Sequence, residues 1–373
     1  MKYRRMLFKV KDPYDTQSTE ELFLQAVKEN SKYQYDNCPE YKMILQNMNF
    51  NPIIIGCYDD IEKIPFLPTL FFKNHSIFSM PSYKIPIKAT SSGTKGKLSN
   101  IGFDLGGLLC GLRMVLKIVN QRKLFSLKPA NYIVFGYKPY RNNNTAVTKT
   151  AFGATFFAPA IRRTYAIKYE KDSYTPDLEG VINAIGKYSL SKFPVRFMGF
   201  PSYTYFVLKM MDERGIQYKM KKGSKIMLGG GWKQFYTEQV EKNILYDLAK
   251  KVLGIEETDI FEFFGAVEHP ILYCDCKNHH FHVPAYSRVI IRDVETLKPV
   301  ENGQIGLVNL ITPMVKATPI LSVMTDDLGI LHDGTECGCG ISSPYLEIIG
   351  RIGLKDIKTC AAGAAELMKE VKL

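Results

Sequence analysis

The 373-residue sequence contains no apolar run approaching the roughly 18 to 20 residues of a membrane-spanning helix. Its amino terminus, "MKYRRMLFKVKDPYD", is charged throughout and leads into no apolar secretory core. Both absences point to a soluble cytoplasmic protein. Internal repeats and low-complexity segments are also missing, and with 46% apolar residues the chain can bury a substantial core. A concentrated basic stripe is lacking as well. The formal charge is +12, yet the lysines are scattered and only "KMKKGSK" (Lys219 to Lys225) is locally dense. Without interleaved aromatics this makes a poor polyanion groove and reads first as a solvated basic surface. An anionic partner such as a nucleotide, an acidic carrier protein, nucleic acid or anionic lipid would suit the charge.

Cysteine is present but unevenly spread, with Cys274, Cys276, Cys337, Cys339 and Cys360 in the last part of the chain. The stretch "YCDCKNHHFHVP" places Cys274, Cys276, His279, His280 and His282 within nine positions, and "ECGCG" adds Cys337 and Cys339. Two C-x-C pairs beside a histidine cluster favour a metal over disulfides in a cytoplasmic chain. Thiolate and imidazole ligands suit tetrahedral Zn²⁺, and the glycines of the second pair allow its tight turn. The preferred ligands are Cys276, His282, Cys337 and Cys339, with Cys274, His279 or His280 as substitutes; the alternative is reduced thiols beside solvent-facing histidines. Four protein ligands would close the sphere and make the site structural. Cys38, Cys57 and Cys110 are expected to be inert packing residues.

Ser18 and Glu21 form a capping-box pattern ahead of "LFLQAVKEN", which predicts an opening helix. The stretch "IIIGCYDDIEKIPFLPTLFF" has apolar runs broken by prolines and is expected to be irregular and partly buried. Asp104 can cap a helix in which Leu105, Leu108, Leu109, Leu112, Val115, Leu116 and Val119 follow helical spacing. A strand, "NYIVFGY", follows; then "PDLEGVINAIGKYSL" and "YTYFVLKMMDERG" read as helices alternating with the strands "PVRFMGFPS" and "SKIMLGGG". Such alternation argues for an α/β sheet with covering helices. Further on, "SRVIIRD" and "GQIGLVNLIT" read as an antiparallel pair with an Asn302-Gly303 turn.

The loop "ATSSGTKGKLS" (Ala89 to Ser99) offers hydroxyls, glycines and lysines, the makings of a phosphate cradle, but it lacks Walker A spacing. Alone it could equally be a flexible turn. It is followed in order by "LGGGWKQF", "FEFFGAVEHP", "SVMTDDLG" and "EIIGRIGLKDIKTC". Taken together, these resemble the core signatures of the adenylate-forming superfamily, over roughly residues 60 to 360. The segment "ECGCGISSP" resembles the C-x-C-G element of phenylacetate-CoA ligases, and the ending "IKTCAAGAAELM" resembles the LuxE-type acyl-protein synthetases of bioluminescence fatty-acid reductases, the favoured branch. The fold this resemblance implies is α/β: an adenylate-forming N-terminal domain over 1–349, with a zinc-pinned subregion at 274–340, and a truncated C-terminal segment, 350–373.

By the same resemblance, Ser91, Ser92, Gly93, Thr94 and Gly96 would hold the ATP phosphates. Gly229, Gly230 and Gly231 would line the adenine or acyl pocket, and Gly265 belongs to the aromatic-Gly-x-x-Glu motif. Glu268 would bind Mg²⁺, Asp327 the ribose hydroxyls, and Arg351 would support the nucleotide. The sequence departs from the family pattern at Lys95, Leu98-Ser99, Val267 and Asp326. Only 22 residues follow Arg351, so the family's C-terminal domain and its catalytic lysine are not expected. Lys95 would then be a local source of positive charge at the phosphates.

The activity implied is ATP-dependent conversion of a carboxylic acid, here a fatty acid, to an acyl-adenylate, followed by transfer to a protein thiol. Cys360, behind the plausible N-cap Thr359 and near Lys355 and Lys358, is where the resemblance places that thiol. A helix N-terminus and neighbouring lysines favour the thiolate; local pattern alone would also fit a small buried residue. A reductase, transferase or acyl carrier protein would receive the acyl group. The alternative within enzymes is a phenylacetate-CoA-ligase-like acyl or aryl ligase acting on CoA or a carrier protein. Outside enzymes, the alternative is a zinc-stabilised basic nucleic-acid-binding protein, which the ordered motifs disfavour.

Overall fold

The computed structural model describes residues 1–90, 99–139, 146–170, 173–232 and 239–351. They belong to two compact units, one drawn from Met1–Ile118 and Gly265–Leu373, the other from Val119–Phe264.

The first unit opens with helices α1 (Lys2–Leu7), α2 (Glu20–Asn37) and α3 (Pro39–Asn47). Helix α2 buries Phe23, Leu24, Ala26 and Val27; of the face expected from spacing, Leu22, Ala26 and Val27, only Leu22 is left part-exposed. Its start differs from the expected capping box. Thr19 is the N-cap and makes no side-chain cap bond, because its hydroxyl donates to the Asp15 carbonyl at 2.5 Å, while the Ser18 hydroxyl donates to the Asp15 carboxylate. The proline-broken stretch forms 3₁₀ turns at Pro52–Ile54 and Tyr58–Lys63, then strand β1 (Leu67–Pro68) and the short helix α4 (Thr69–Asn74). Strands β2 (Ile87–Thr90) and β3 (Asn100–Phe103) pair antiparallel.

Helix α5 (Leu105–Gln121) starts where the Asp104 carboxylate accepts the Gly107 N–H at 3.0 Å, the cap its sequence predicts. Arg4 on α1 holds the same carboxylate at 2.9 Å in a buried pair. Cys110, Met114 and Ile118 form the inner face, whereas Leu105, Leu109, Leu112 and Leu116 are 46% to 64% exposed. The helical spacing is as expected, but a helix apolar on several sides does not announce which side is buried.

The second unit continues with β4 (Ala130–Tyr137), α6 (Ala146–Ala154), β5 (Ala160–Glu170), β6 (Ser173–Pro176), α7 (Leu178–Ser189), β7 (Val195–Gly199), α8 (Pro201–Glu213), β8 (Lys225–Gly229), α9 (Lys242–Leu253) and β9 (Ile260–Phe264). Its strands lie in the order β9-β8-β7-β4-β5-β6. All pair parallel except β6, which returns antiparallel to β5. The expected alternation covers β4, α7, β7, α8 and β8; α6, β5, β6, α9 and β9 lie outside it. Seven consecutive residues of β4 are buried because helices cover both faces. Ile133, Phe135, Val181, Ile185, Phe197 and Val207 make up part of the core.

The chain returns to the first unit through β10 (Tyr273–Cys274), β11 (Phe281–His282), β12 (Arg288–Arg292), β13 (Ile305–Ile311), β14 (Ser322–His332) and β15 (Tyr345–Arg351). Strands β11 to β15 make an antiparallel sheet in the order β11-β15-β14-β13-β12, to which β1 adds in parallel beside β14. Strands β12 and β13 pair as expected, with Gly303 at φ 85° in the connecting turn. Cys38 and Cys110 are buried as anticipated; Cys57 is exposed, because it caps the 3₁₀ turn that follows it and its thiol faces Asp60. Among the described residues no helix is long and apolar enough to cross a membrane.

Candidate functional site

Strand pairing builds the centre of the site. Strands β14 and β15 run antiparallel with Asp327 opposite Arg351, so two residues far apart in sequence become cross-strand neighbours. The Arg351 guanidinium lies 3.5 Å from Asp327 and 3.9 Å from Asp326. Further along the same edge of β14, β1 places Pro68 beside Met324, which brings Thr69 to the acidic pair; its hydroxyl donates to Asp326 Oδ1 at 3.2 Å.

Glu268 completes the cluster. It is 4% exposed, and the Ser99 hydroxyl donates to its Oε1. Burial raises its pKa above the ordinary carboxylate value and the Asp326 charge adds to the rise, while the Ser99 hydrogen bond and the Lys73 charge act the other way. Burial disfavours the ionised carboxyl because low-dielectric surroundings replace water. Next in sequence, His269 is fully buried and burial holds its pKa down at about 3. Its Nε2 lies 3.0 Å from the Ser287 hydroxyl and 3.3 Å from that of Tyr273, and these two hydroxyls are 2.7 Å apart. This buried network fixes the turn that presents Glu268. In the same turn, a Cβ on Gly265 would lie only 3.0 Å from the Ile271 carbonyl, so the backbone there approaches too closely for a larger residue without a shift.

In the second unit, Gly229 ends β8, and Gly230 and Gly231 follow with φ of 85° and 66°. These glycines therefore occupy the carboxyl end of a parallel strand, the edge at which open α/β sheets bind ligands. Ser91, Ser92, Gly93, Thr94, Lys95 and Gly96, and likewise Cys360, lie outside the described residues.

A second cluster sits where β11 meets β15. Ligand atoms of Cys276, His282, Cys337 and Cys339 all lie within 4.8 Å of one another. The Cys276 and Cys337 sulfurs are 3.5 Å apart, and Cys339 Sγ is 3.2 Å from His282 Nε2. His282 Nδ1 donates to the Ser343 carbonyl at 2.7 Å, which fixes the tautomer and leaves Nε2 as the free base. Backbone N–H groups of Asn278 and Ile341 point at the Cys276 and Cys339 sulfurs, and Gly338 and Gly340 adopt positive φ to turn the C-x-C pair. Burial pushes the Cys337 thiol up to about 12, and the facing Cys276 and Cys339 thiols add to the rise. Cys276 moves down: burial opposes this, but contacts from His282, His280, Asn278 and Cys337 prevail. Sulfurs this close share protons unless a cation stands between them. A tetrahedral zinc with Zn–S bonds of about 2.3 Å separates its ligands by roughly 3.5 to 3.8 Å, so this donor set fits one. Cys274 and His279 stay outside the group: Cys274 Sγ faces Asp275, and so does the His279 ring. His280 Nδ1 reaches Cys337 Sγ at 3.1 Å while its ring stacks on Tyr345.

Sequence reasoning did not single out Thr69, Lys73, Ser99, His269 or Asp326 as parts of one site. For Thr69 and Lys73 the signal was their four-residue spacing, hidden in a stretch read as irregular.

The fold is that of an adenylate-forming ligase. The structure superimposes on the open conformation of 2-hydroxyisobutyryl-CoA ligase with a TM-score of 0.67 at 14% identity, covering 91% of this chain and 76% of that one. More particularly, the family model described as acyl-protein synthetase, LuxE, matches residues 9–369, and the chain belongs to that family. It is 25% identical to the long-chain-fatty-acid–luciferin-component ligase of Aliivibrio fischeri over 92% of this chain and 88% of that protein. The ligase of the same description from Vibrio harveyi is 22% identical, over 95% and 90%. A phenylacetate-coenzyme A ligase of Thermus thermophilus is 21% identical, over 82% and 64%. Family membership makes the chain a ligase of the acyl-activating kind.

Proposed function

We propose that the chain joins a carboxylic acid, a long-chain fatty acid by its relatives, to AMP and then passes the acyl group to the Cys360 thiol. The acid's carboxylate oxygen attacks the α-phosphorus of ATP and pyrophosphate leaves; the thiolate then attacks the acyl carbon and AMP leaves. The observation that carries the first step is the pairing of Asp327 with Arg351 beside Asp326 and Glu268. Asp327 offers carboxylate oxygens to ribose hydroxyls and Arg351 a fixed cation beside them. A buried Glu268 whose carboxyl burial shifts upward, with the Asp326 charge adding to the rise, makes with Asp326 a donor set that a divalent cation would hold ionised. Glu268 and Asp326 would hold Mg²⁺, which when bound neutralises charge as pyrophosphate departs. The second step rests on the resemblance and on the chemistry of a tethered thiol, which makes transfer intramolecular. A reductase, transferase or acyl carrier would take the acyl group onward, in the cytoplasm. The four Cys and His ligands would hold a structural zinc.

The test is acid-dependent ATP–pyrophosphate exchange across fatty and aryl acids, followed by labelling with radioactive acid. Wild type should exchange with at least one acid, and Glu268→Gln should lower the rate by on the order of 100-fold. Label should remain on the protein, be released by hydroxylamine, and be absent from Cys360→Ser. Equal labelling of that variant would remove Cys360 from the reading, and transfer to CoA instead would favour the phenylacetate-CoA-ligase-like alternative.

A further inference from the structure

Helix α4 brings a second cation to the carboxylate cluster. Thr69 and Lys73 are four residues apart on it, so their side chains leave the same face. The Thr69 hydroxyl reaches Asp326 Oδ1 at 3.2 Å, which orients that face toward the site, while Phe71 and Phe72 fill the core on the remaining faces. Lys73 is half-buried, and its charge acts on Glu268. Among the described residues it makes no ion pair and no hydrogen bond. The other described cation at the cluster, Arg351, already faces Asp326 and Asp327.

The charge balance makes this arrangement informative. Glu268, Asp326 and Asp327 are three acids in one place, and an incoming nucleotide and carboxylic acid add further negative charge. Arg351 could meet those anions only by loosening its contacts with the aspartates. An ammonium on a flexible four-carbon stem, engaged with no described partner, can turn to an anionic oxygen at no such cost. We propose that Lys73 binds the phosphates of the nucleotide in this site. The inference rests on the adenylation reading above and adds a residue that neither the motifs nor the resemblance assigns.

Lys73→Met and Lys73→Arg in the full chain separate this role from a structural one. In acid-dependent exchange, Lys73→Met should lower kcat/KM for ATP by on the order of 10- to 100-fold, with KM for the acid unchanged. Lys73→Arg should recover most of the loss, and both variants should melt with wild type. Unchanged ATP parameters would overturn the proposal, as would a change confined to KM for the acid, or equal impairment of both variants with lowered melting temperatures. Direct MgATP binding without acid, by calorimetry, separates this inference from the reading beneath it. If wild type binds MgATP but exchanges with no acid, the adenylation reading fails, and a weaker Lys73→Met complex still upholds Lys73. If Lys73→Met binds MgATP as tightly as wild type does, or wild type binds none, Lys73 has no such role.

Discussion

Glu268 and His269 are pushed in opposite directions by one cause. Burial penalises the charged form of each, raising the acid and lowering the base. The consequences for stability have opposite signs. A histidine whose folded pKa is depressed from 6.5 to about 3 contributes stability that is complete above pH 6.5 and is lost as pH falls toward 3. Glu268, with a raised value, instead favours the folded state at low pH and opposes it once the carboxyl must ionise. Between pH 7 and pH 5 the histidine's share of the lost stability should be about 2 kcal/mol. Comparing the denaturant midpoints of wild type and His269→Asn at the two pH values checks this. The variant should be less stable at pH 7, having lost the bonds to Ser287 and Tyr273, but should decline less steeply toward pH 5. Parallel declines would show that His269 does not govern acid sensitivity.

At the scale of elements, the Cys and His cluster joins Cys276 and the β11 residue His282 to the Gly334–Cys337 turn and Cys339 through side chains, beside the backbone pairing of β11 with β15. Metal analysis of protein purified without added metal should give about one equivalent of zinc, because four such ligands bind tightly at neutral pH. Cys337→Ser should lose it and melt lower, as should wild type after exhaustive chelation; a metal-free preparation with an unchanged melting temperature would eliminate the site. Helix α5 supplies a test of face assignment. Leu112→Gln, on its exposed side, should change stability by less than about 0.5 kcal/mol, whereas Met114→Ala, on its buried side, should cost roughly 2 to 5 kcal/mol. Comparable losses, read by urea denaturation, would mean that something covers the leucines.

Across the whole molecule, much of the fold was legible before any coordinates. Strands β4, β7 and β8 of the second unit and helices α7 and α8 follow apolar patterns that local chain stiffness and burial enforce, and the β12 and β13 pair carries its own turn glycine. The motif order pointed to the family to which the chain belongs. Asp327 and Arg351 were readable as separate motif residues, but their pairing was not, since a cross-strand register depends on how β14 and β15 meet. Ser99, which departs from the family pattern, proves to be the residue bonded to Glu268. Which side of α5 faces water was equally out of reach, as leucine satisfies both. Sequence by itself determined the elements, the chemistry available and the kinship, because residue type and spacing act locally. Tertiary structure alone decided that Thr69, Ser99, Glu268, Asp326, Asp327 and Arg351 share one place, because only packing sets distances between segments that sequence separates.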